Sequence, residues 1–390
     1  MKILLVSWST LPNKGGSSII VENLAKNFSA DEMIVLGSRT WWQDTHVERP
    51  PGIAKFVYFF SELYFFGRGY RYFIWFRKWR FRPLIQRIKN IIQTENITHV
   101  IGVYPNPFYC HAACIAAKEL GVPFSSYFHN TYVENVAITD PQAPAIQAEI
   151  FAQSEFVFVM SKGMQKFYEE KYQLKKFIPL VHTFDEFPST SSLTGIPGED
   201  KSKYKLVAIG NFNESNLDAT RRFIEAIKSD PRYQLSLFTH VPKVLLKNRG
   251  IDVEVIDYQG FVSPDEVHER LQNYDICVLT HGFTGGYGAV EYQTIFPTRT
   301  IPFLLSGKPI LAHSPDGSFL NDFILENKCA VLVAEKSTDA ILAGLEKITK
   351  RASYQKELVA ASQKTAAQFY GKKVVAKLKN TLSQSVNSKV

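Results

Sequence analysis

The sequence lacks any uncharged apolar run of about twenty residues, the length a membrane-crossing helix needs, so no membrane span is expected. Its opening, Met-Lys-Ile-Leu-Leu-Val-Ser, is too short an apolar run for a signal-peptide core, and no cleavage region follows. Cysteine is scarce: four residues, at 110, 114, 277 and 329, with no Cys-x-x-Cys pair and no spacing that suggests a disulfide framework. That usage points to a reducing, cytoplasmic setting. Cys110 and Cys114 lie one helical turn apart on an apolar face, a placement that suits packing better than chemistry. Neither Gly-x-Gly-x-x-Gly nor a P-loop lysine pattern occurs, so no single nucleotide motif identifies the chain.

What is present fits a folded protein of two domains. The 390 residues are 45% hydrophobic and 21% charged, enough for two separate cores. A formal charge of +8 calls for an anionic partner, and a nucleotide, a membrane surface and a nucleic acid all qualify. The most informative stretch is Tyr274 to Pro315. An apolar strand, Ile276 to Leu279, gives way to a loop rich in Gly, Thr and Tyr; a helix from Thr298 to Ser306 is stopped by Gly307; a second strand, Pro309 to Ala312, follows. Open parallel sheets bind ligands at the carboxyl ends of strands, where such a loop brings backbone N–H groups close to a phosphate. A nucleotide diphosphate would use both the loop and the positive end of the helix.

The first half reads as alternating strand and helix. Ile3 to Ser7 is a strand, and Asn13 to Ser18 leads into a helix over about Ile19 to Phe28. Gly15 and Gly16 there suit either an ordinary connection or close approach to a donor phosphate or sugar. From Lys55 to Arg82 aromatic residues mix with Arg and Lys, and Glu62 is the one acid. This composition suits docking on a membrane or reception of a lipid-linked acceptor; a helix pair with its arginines at the rim and a surface for single-stranded nucleic acid are the alternatives. The strand Pro123 to Phe128 ends in His129, at a sheet edge where a histidine is either structural or functional. Asp185 to Lys203, rich in Ser, Thr, Pro and Gly, reads as a linker.

The second half restarts the pattern. Lys205 to Ile209 ends in Gly210-Asn211-Phe212-Asn213, Leu235 to Thr239 ends in His240, Val253 to Ile256 precedes Gly260-Phe261-Val262, and a helix from Pro264 to Asn273 leads to Tyr274. After Tyr354 the chain reads as helical nearly to its end, with a lysine-rich face that is either solvated or part of an element crossing back to the first domain. The expected fold is α/β: two Rossmann-like, doubly wound domains facing across a cleft. The first spans residues 1–187, the linker 188–203 and the second domain 204–369, with the helix at about 370–390 returning to the first.

In order and spacing, KILLVSWSTLPNKGGSS, SEFVFVMSKGMQKF, IPLVHTFDEF, YKLVAIGNF, YQGFVSPDEV, LQNYDICVL and FPTRTIPFLLSGKPILA resemble the GT-B glycosyltransferases, particularly those of family 4. The resemblance spans nearly the whole chain. It implies transfer of a sugar from a nucleotide-diphosphate sugar to an acceptor hydroxyl on a saccharide, lipid-linked or protein acceptor, with the nucleotide held by the second domain. The nucleotide-sugar is then a substrate, and no cofactor or nucleic-acid partner is expected. By position, Phe261 and Val262 would meet the base, Tyr287 and Gly288 the donor sugar, and Thr298, Arg299 and Thr300 the diphosphate. Gly15, Gly16, Asn211 and His240 complete the candidate donor side. His129 matches the first-domain histidine near the transferred sugar, and Glu291, read as a loop residue, is the second candidate catalytic group. No Asp-x-Asp triplet occurs, so no catalytic metal is expected.

The chain also departs from the family. Thr294 and Pro302 stand where two glutamates are usual, and Phe212 with Ser215 or Asn216 where a basic pair is usual; Arg299, with Lys243, is expected to carry the phosphate charge instead. A non-catalytic GT-B-like protein binding a membrane or partner enzyme, and a nucleotide-sugar epimerase or hydrolase, are the alternatives. The expected setting is the cytoplasm, at the inner face of a membrane, in assembly of a surface polysaccharide, glycolipid or glycoprotein.

Overall fold

The computed structural model describes residues 1–11, 16–39, 49–60, 70–184, 201–264, 266–283 and 288–387, and for 70–77 and 385–387 the backbone alone. Gly15, Tyr287 and most of the expected linker lie outside the described residues. The described residues form two parallel sheets. The first contains β1 (Ile3–Val6), β2 (Met33–Arg39), β3 (Lys55–Phe60), β4 (His99–Tyr104), β5 (Phe124–Phe128), β6 (Val157–Val159) and β7 (Phe177–Pro179), in the order β3-β2-β1-β4-β5-β6-β7. The second contains β8 (Tyr204–Ile209), β9 (Tyr233–Phe238), β10 (Asp257–Gly260), β11 (Ile276–Thr280), β12 (Ile310–His313) and β13 (Val331–Val333), in the order β10-β9-β8-β11-β12-β13. Both are Rossmann-like and doubly wound, and each reverses direction once, between β1 and β4 and between β8 and β11.

The strands read as continuous apolar runs because helices cover both faces of a parallel sheet. Ile3–Val6 is buried throughout, with Ile3 opposite Met33 on one side and His99 on the other. Between β4 and β5, the helix Pro107–Leu120 is bounded by sequence signals. The Asn106 side chain accepts from the amides of Phe108 and Tyr109, Pro107 sits at the first turn, and Gly121 at φ 65° ends it. Cys110 and Cys114 are fully buried along this helix, and burial pushes the Cys114 thiol up to about 12, so both act as small apolar side chains.

The aromatic and basic segment divides between two elements. Its first six residues are the edge strand β3 and its last thirteen open the helix Tyr70–Thr94, so the alternative of a helix pair gives way to a strand and a helix. Lys55–Phe60 joins the sheet because its β-favouring aromatics pair in register with Ile34–Arg39. Arg80 donates to the Phe60 carbonyl and lies over the Phe59 ring at 4.5 Å. Trp79 is 62% exposed. Among the described residues no helix is long and apolar enough to cross a membrane.

The chain divides into two compact units. One holds Met1–Glu134, Ile138–Asp185 and Tyr370–Val390, and the other holds Glu186–Phe369 with Asn135–Ala137. The C-terminal helix Gly371–Asn387 thus belongs to the first unit, where Val374, Val375, Leu378 and Leu382 join the core of Leu5, Val21, Phe28, Val35 and Phe158. Their i, i+4, i+8 spacing makes one apolar stripe. Two of its lysines are tied down: Lys377 donates to the Pro179 carbonyl and Lys379 to Glu32. Phe184 bridges to Tyr370, so the chain leaves and re-enters this unit at one point.

Candidate functional site

In the second unit the candidate residues gather at the carboxyl edge of the sheet, on both sides of the β8/β11 reversal. Gly210 follows β8 with φ 129°, and a Cβ on it would meet Arg299 Nη1 at 2.8 Å. The position therefore needs glycine twice over, for its backbone angle and for the guanidinium lying against it. Arg299 Nη2 donates to the carbonyl of Thr280, the last residue of β11, at 2.6 Å. One side chain thus spans the ends of the two strands that flank the reversal.

Among the described residues the charge of Arg299 is left uncompensated. Burial pushes its pKa down to about 10, so it stays cationic at neutral pH, and no carboxylate acts on it among the described residues. A desolvated cation without a counter-ion is costly, and an anionic ligand is the natural complement. Beside it, His281 is buried, its Nδ1 3.2 Å from the Ser314 hydroxyl, while its Nε2 has no partner among the described residues. Burial and the nearby Arg299 push the His281 pKa down to about 3, so the ring is neutral. The Thr300 hydroxyl is likewise buried without a partner among the described residues.

The neighbouring loops are pinned. Gly282 donates to the Ser215 carbonyl at 2.8 Å, and a Cβ on it would lie 2.7 Å from that oxygen. Asp218 accepts from the Phe283 amide, and Tyr292 donates its hydroxyl to the Glu214 carbonyl. Phe212 is buried in the core, and Asn216 braces its own loop by donating to the Asn211 carbonyl and accepting from the Asn213 amide. These residues, which stand where the resemblance leads one to expect a basic pair, serve the scaffold.

Several candidates sit differently from their sequence reading. Glu291 lies in the short helix Ala289–Thr294 and is 7% exposed, where a loop position was expected; Gly288, at φ 89°, caps that helix. The helix expected from Thr298 to Ser306 is limited to Thr300–Leu305, preceded by a turn in which the Thr300 and Ile301 amides bond to the carbonyls of Pro297 and Thr298. Those two N–H groups are engaged, so the positive element here is the Arg299 side chain rather than a helix end. Thr298, Asn211, His240 and Lys243 are exposed. Phe261 is 61% exposed beside the buried Val262, after Gly260 at φ 75°.

In the first unit, Leu11 is the last described residue before Gly15. Its amide bonds to Glu22, which is paired with Arg49, and its carbonyl accepts from Tyr58. Gly16 opens the helix Gly16–Ala25, with open space where a Cβ would stand. His129 follows β5, is 1% exposed, and meets the Tyr127 ring edge-on at 4.3 Å. Sequence reading missed His182, which follows β7, is equally buried and lies 6.4 Å from His129 between ring centroids. It also missed His281. A lone histidine carries no local signal, and only the order of strand ends in the sheet marks these positions.

No protein-family model matches the sequence, and no curated protein matches it. Solved structures do. Sucrose-phosphate synthase from Thermosynechococcus elongatus superposes with a TM-score of 0.72 at 13% identity, covering 99% of each chain. The fold is GT-B. The Anabaena protein HepE in complex with UDP and glucose matches at 0.69 and 13% identity, covering 98% of this chain and 99% of its own. A Listeria monocytogenes protein that carries the name UDP-N-acetylglucosamine 2-epimerase matches at 0.59 and 12%, covering 100% and 97%. GT-B glycosyltransferases are thus among the structural neighbours along nearly the full length of the chain.

Proposed function

We propose that this protein is a glycosyltransferase that moves a sugar from a nucleotide-diphosphate sugar to an acceptor hydroxyl. The observation that carries the reading is the uncompensated Arg299 guanidinium at the β8/β11 reversal, held between Gly210 and the Thr280 carbonyl. Ligands of open α/β sheets bind at such reversals, and a diphosphate supplies the missing charge. Negative charge grows on the leaving diphosphate as the glycosidic bond breaks. A fixed guanidinium therefore stabilises the transition state more than the ground state. His129 and Glu291 remain the candidate catalytic groups by the resemblance alone, and Phe261 is the exposed ring offered to the base.

Calorimetric titration with UDP, GDP and ADP tests this. One of them should bind, and Arg299→Ala should weaken that binding by about 1.5–3 kcal/mol, the contribution of a charge-assisted bond. A protein that binds none of the three is not a transferase of this kind. Structural likeness to a protein named as an epimerase supports a second reading at the same site. Incubation with nucleotide-sugar and no acceptor separates the two, because an epimerase changes the sugar and a transferase leaves it waiting.

Two finer points belong to the same proposal. Transfer proceeds without a metal ion, a reading supported by the lack of Asp-x-Asp and checked by full activity in excess EDTA. The protein works in the cytoplasm at an anionic membrane surface, through the basic and aromatic segment from Lys55 to Arg82, where Lys78, Trp79 and Arg82 are exposed. Flotation with liposomes containing phosphatidylglycerol should carry the protein upward, and absence of flotation would remove the membrane from the scheme.

A further inference from the structure

The sheet of the second unit carries another candidate site, at the end opposite to Arg299. A parallel sheet normally buries both faces under helices, so its strands are apolar on both sides. On one face, β8, β9 and β10 break that rule. Lys205 pairs with Gln234, and Ser236 stands between Val207 and Asp257, so two neighbouring rows of this face hold four polar side chains. Lys205, Gln234 and Asp257 are exposed. The other face of the same strands is ordinary core, where Tyr204, Leu206 and Leu235 are buried. Towards β11 the polar face is closed again: Cys277, the neighbour of Val207, has the Ser306 hydroxyl 3.6 Å from its sulfur. Among the described residues the crossover from β10 to β11 brings only the five-residue helix Val267–Leu271, roughly 8 Å long, and the amino-terminal half of the face stays open.

What remains is a groove of about 490 Å³, within the range of small-molecule sites, roughly 300–1,000 Å³. Asn273 and Tyr274, which lead into β11, line it together with Val255 and the four polar residues. Asp257 is held in place, because its Oδ2 accepts from the Ser236 hydroxyl at 3.0 Å and from the Gln259 side chain. Its Oδ1 and the side chains of Lys205, Gln234 and Asn273 have no partner among the described residues. The Tyr274 ring is set by Phe238, which meets it edge-on at 5.9 Å between centroids.

This chemistry narrows the ligand. Lys205 and Asp257 stand two strands apart, roughly 10 Å between backbones, and their charges cancel across the groove, so net charge favours neither an anion nor a cation. The carboxylate and the two carboxamides are flat groups with paired polar atoms, which suit adjacent hydroxyls that each donate once and accept twice. Tyr274 and Val255 add an apolar wall for carbon-bound hydrogens. A sugar ring presents both surfaces at once, hydroxyls at its rim and C–H groups on its face.

We propose that this groove binds a neutral oligosaccharide, with Tyr274 against one sugar ring and Gln234, Asp257 and Asn273 on its hydroxyls. The choice of a saccharide over another polyol rests on the sugar-transfer reading. Lys205 precedes Gly210 by five residues, roughly 16 Å of strand, so the groove is separate from the site proposed for the diphosphate. Its role is to hold a glycan chain by a sugar that is not reacting.

The test is nitrogen-resolved NMR of the side-chain amides in the full-length protein. Maltotriose, cellotriose, mannotriose and triacetylchitotriose serve as neutral probes, trigalacturonic acid as an anionic one and UDP as a control. At least one neutral probe should shift the Gln234 and Asn273 amides together, and UDP should leave both in place. Calorimetry of Gln234→Ala should find that probe weakened about threefold to tenfold, as for one lost hydrogen-bonding group, with UDP affinity unchanged. Tyr274→Ala should abolish binding of the probe while Tyr274→Phe keeps most of it; Gln234→Ala, at an exposed and unengaged position, decides the matter if Tyr274→Ala does not fold. No shift with any neutral probe, shifts with trigalacturonic acid alone, or unchanged probe affinity in Gln234→Ala each overturns the proposal. A shift caused by UDP joins the groove to the nucleotide site and overturns it too. If UDP fails to bind at all, the transferase reading falls separately, and the neutral probes still decide the groove.

Discussion

A single glycine makes room for the buried guanidinium of Arg299 in the second unit. Gly210 at φ 129° makes room for Arg299, and a methyl group there would be 2.8 Å from Nη1. Gly210→Ala should therefore lower stability by about 1–3 kcal/mol through backbone strain and also displace the guanidinium. Thermal unfolding and diphosphate titration on the same sample should both report a loss; unchanged diphosphate affinity would mean that Arg299 can serve from another position. The buried histidines predict a pH dependence. His182 and His281 are held neutral, with pKa values pushed down to about 4 and about 3, against an ordinary value near 6.5. The unfolded chain binds more protons as pH falls below that value, so the stability these rings contribute is complete above about 6.5 and is lost progressively as pH drops toward 4 and 3. The midpoint of urea unfolding should be lower at pH 5 than at pH 7.5, and His281→Gln should flatten part of the difference.

At the level of elements, strands were legible where they are central and helices where they are capped. Ile276–Thr280 is buried throughout and residues 206–208 at the centre of β8 likewise, and both stand out as apolar runs. The edge strand β10 does not: Asp257–Gly260 is half exposed, while the apolar Val253 and Ile256 that precede it pack into the core from a turn. Sequence reading placed the signal on the apolar residues. Glu291 was assigned to a loop because Gly and Thr dominate the residues before it, although one and a half turns of helix suffice to bury it. In the stretch expected to meet a diphosphate, Arg299 stood out by its charge, whereas the turn that occupies the Thr300 and Ile301 amides depends on local geometry. Close helix-to-strand contact gives another prediction. A Cβ on Gly102 would lie 3.1 Å from the Cys110 carbonyl and sulfur, so Gly102→Ala should push the helix Pro107–Leu120 a few tenths of an ångström away from β4 and destabilise by about 1–3 kcal/mol, measurable by urea unfolding.

Across the whole molecule, the repeated alternation of strand and helix was enough to anticipate two doubly wound sheets, because most of the short apolar runs are followed by a helical stretch that can serve as a crossover. The relation between the last helix and the first unit is carried by Val374, Leu378 and Leu382, whose stripe resembles any amphipathic helix and names no partner. Leu378 is fully buried, and Leu378→Ala should cost about 2–5 kcal/mol, with the unfolding transition of the first unit moving and that of the second staying in place. The bridge of Phe184 to Tyr370 makes the second unit an insertion within the first. On the ribosome, every residue of the inserted unit emerges before the helix Gly371–Asn387 that completes its host. The unit made later is thus free to reach its native state earlier, and its host must wait, open along one helix-wide strip of core, until that helix has been made.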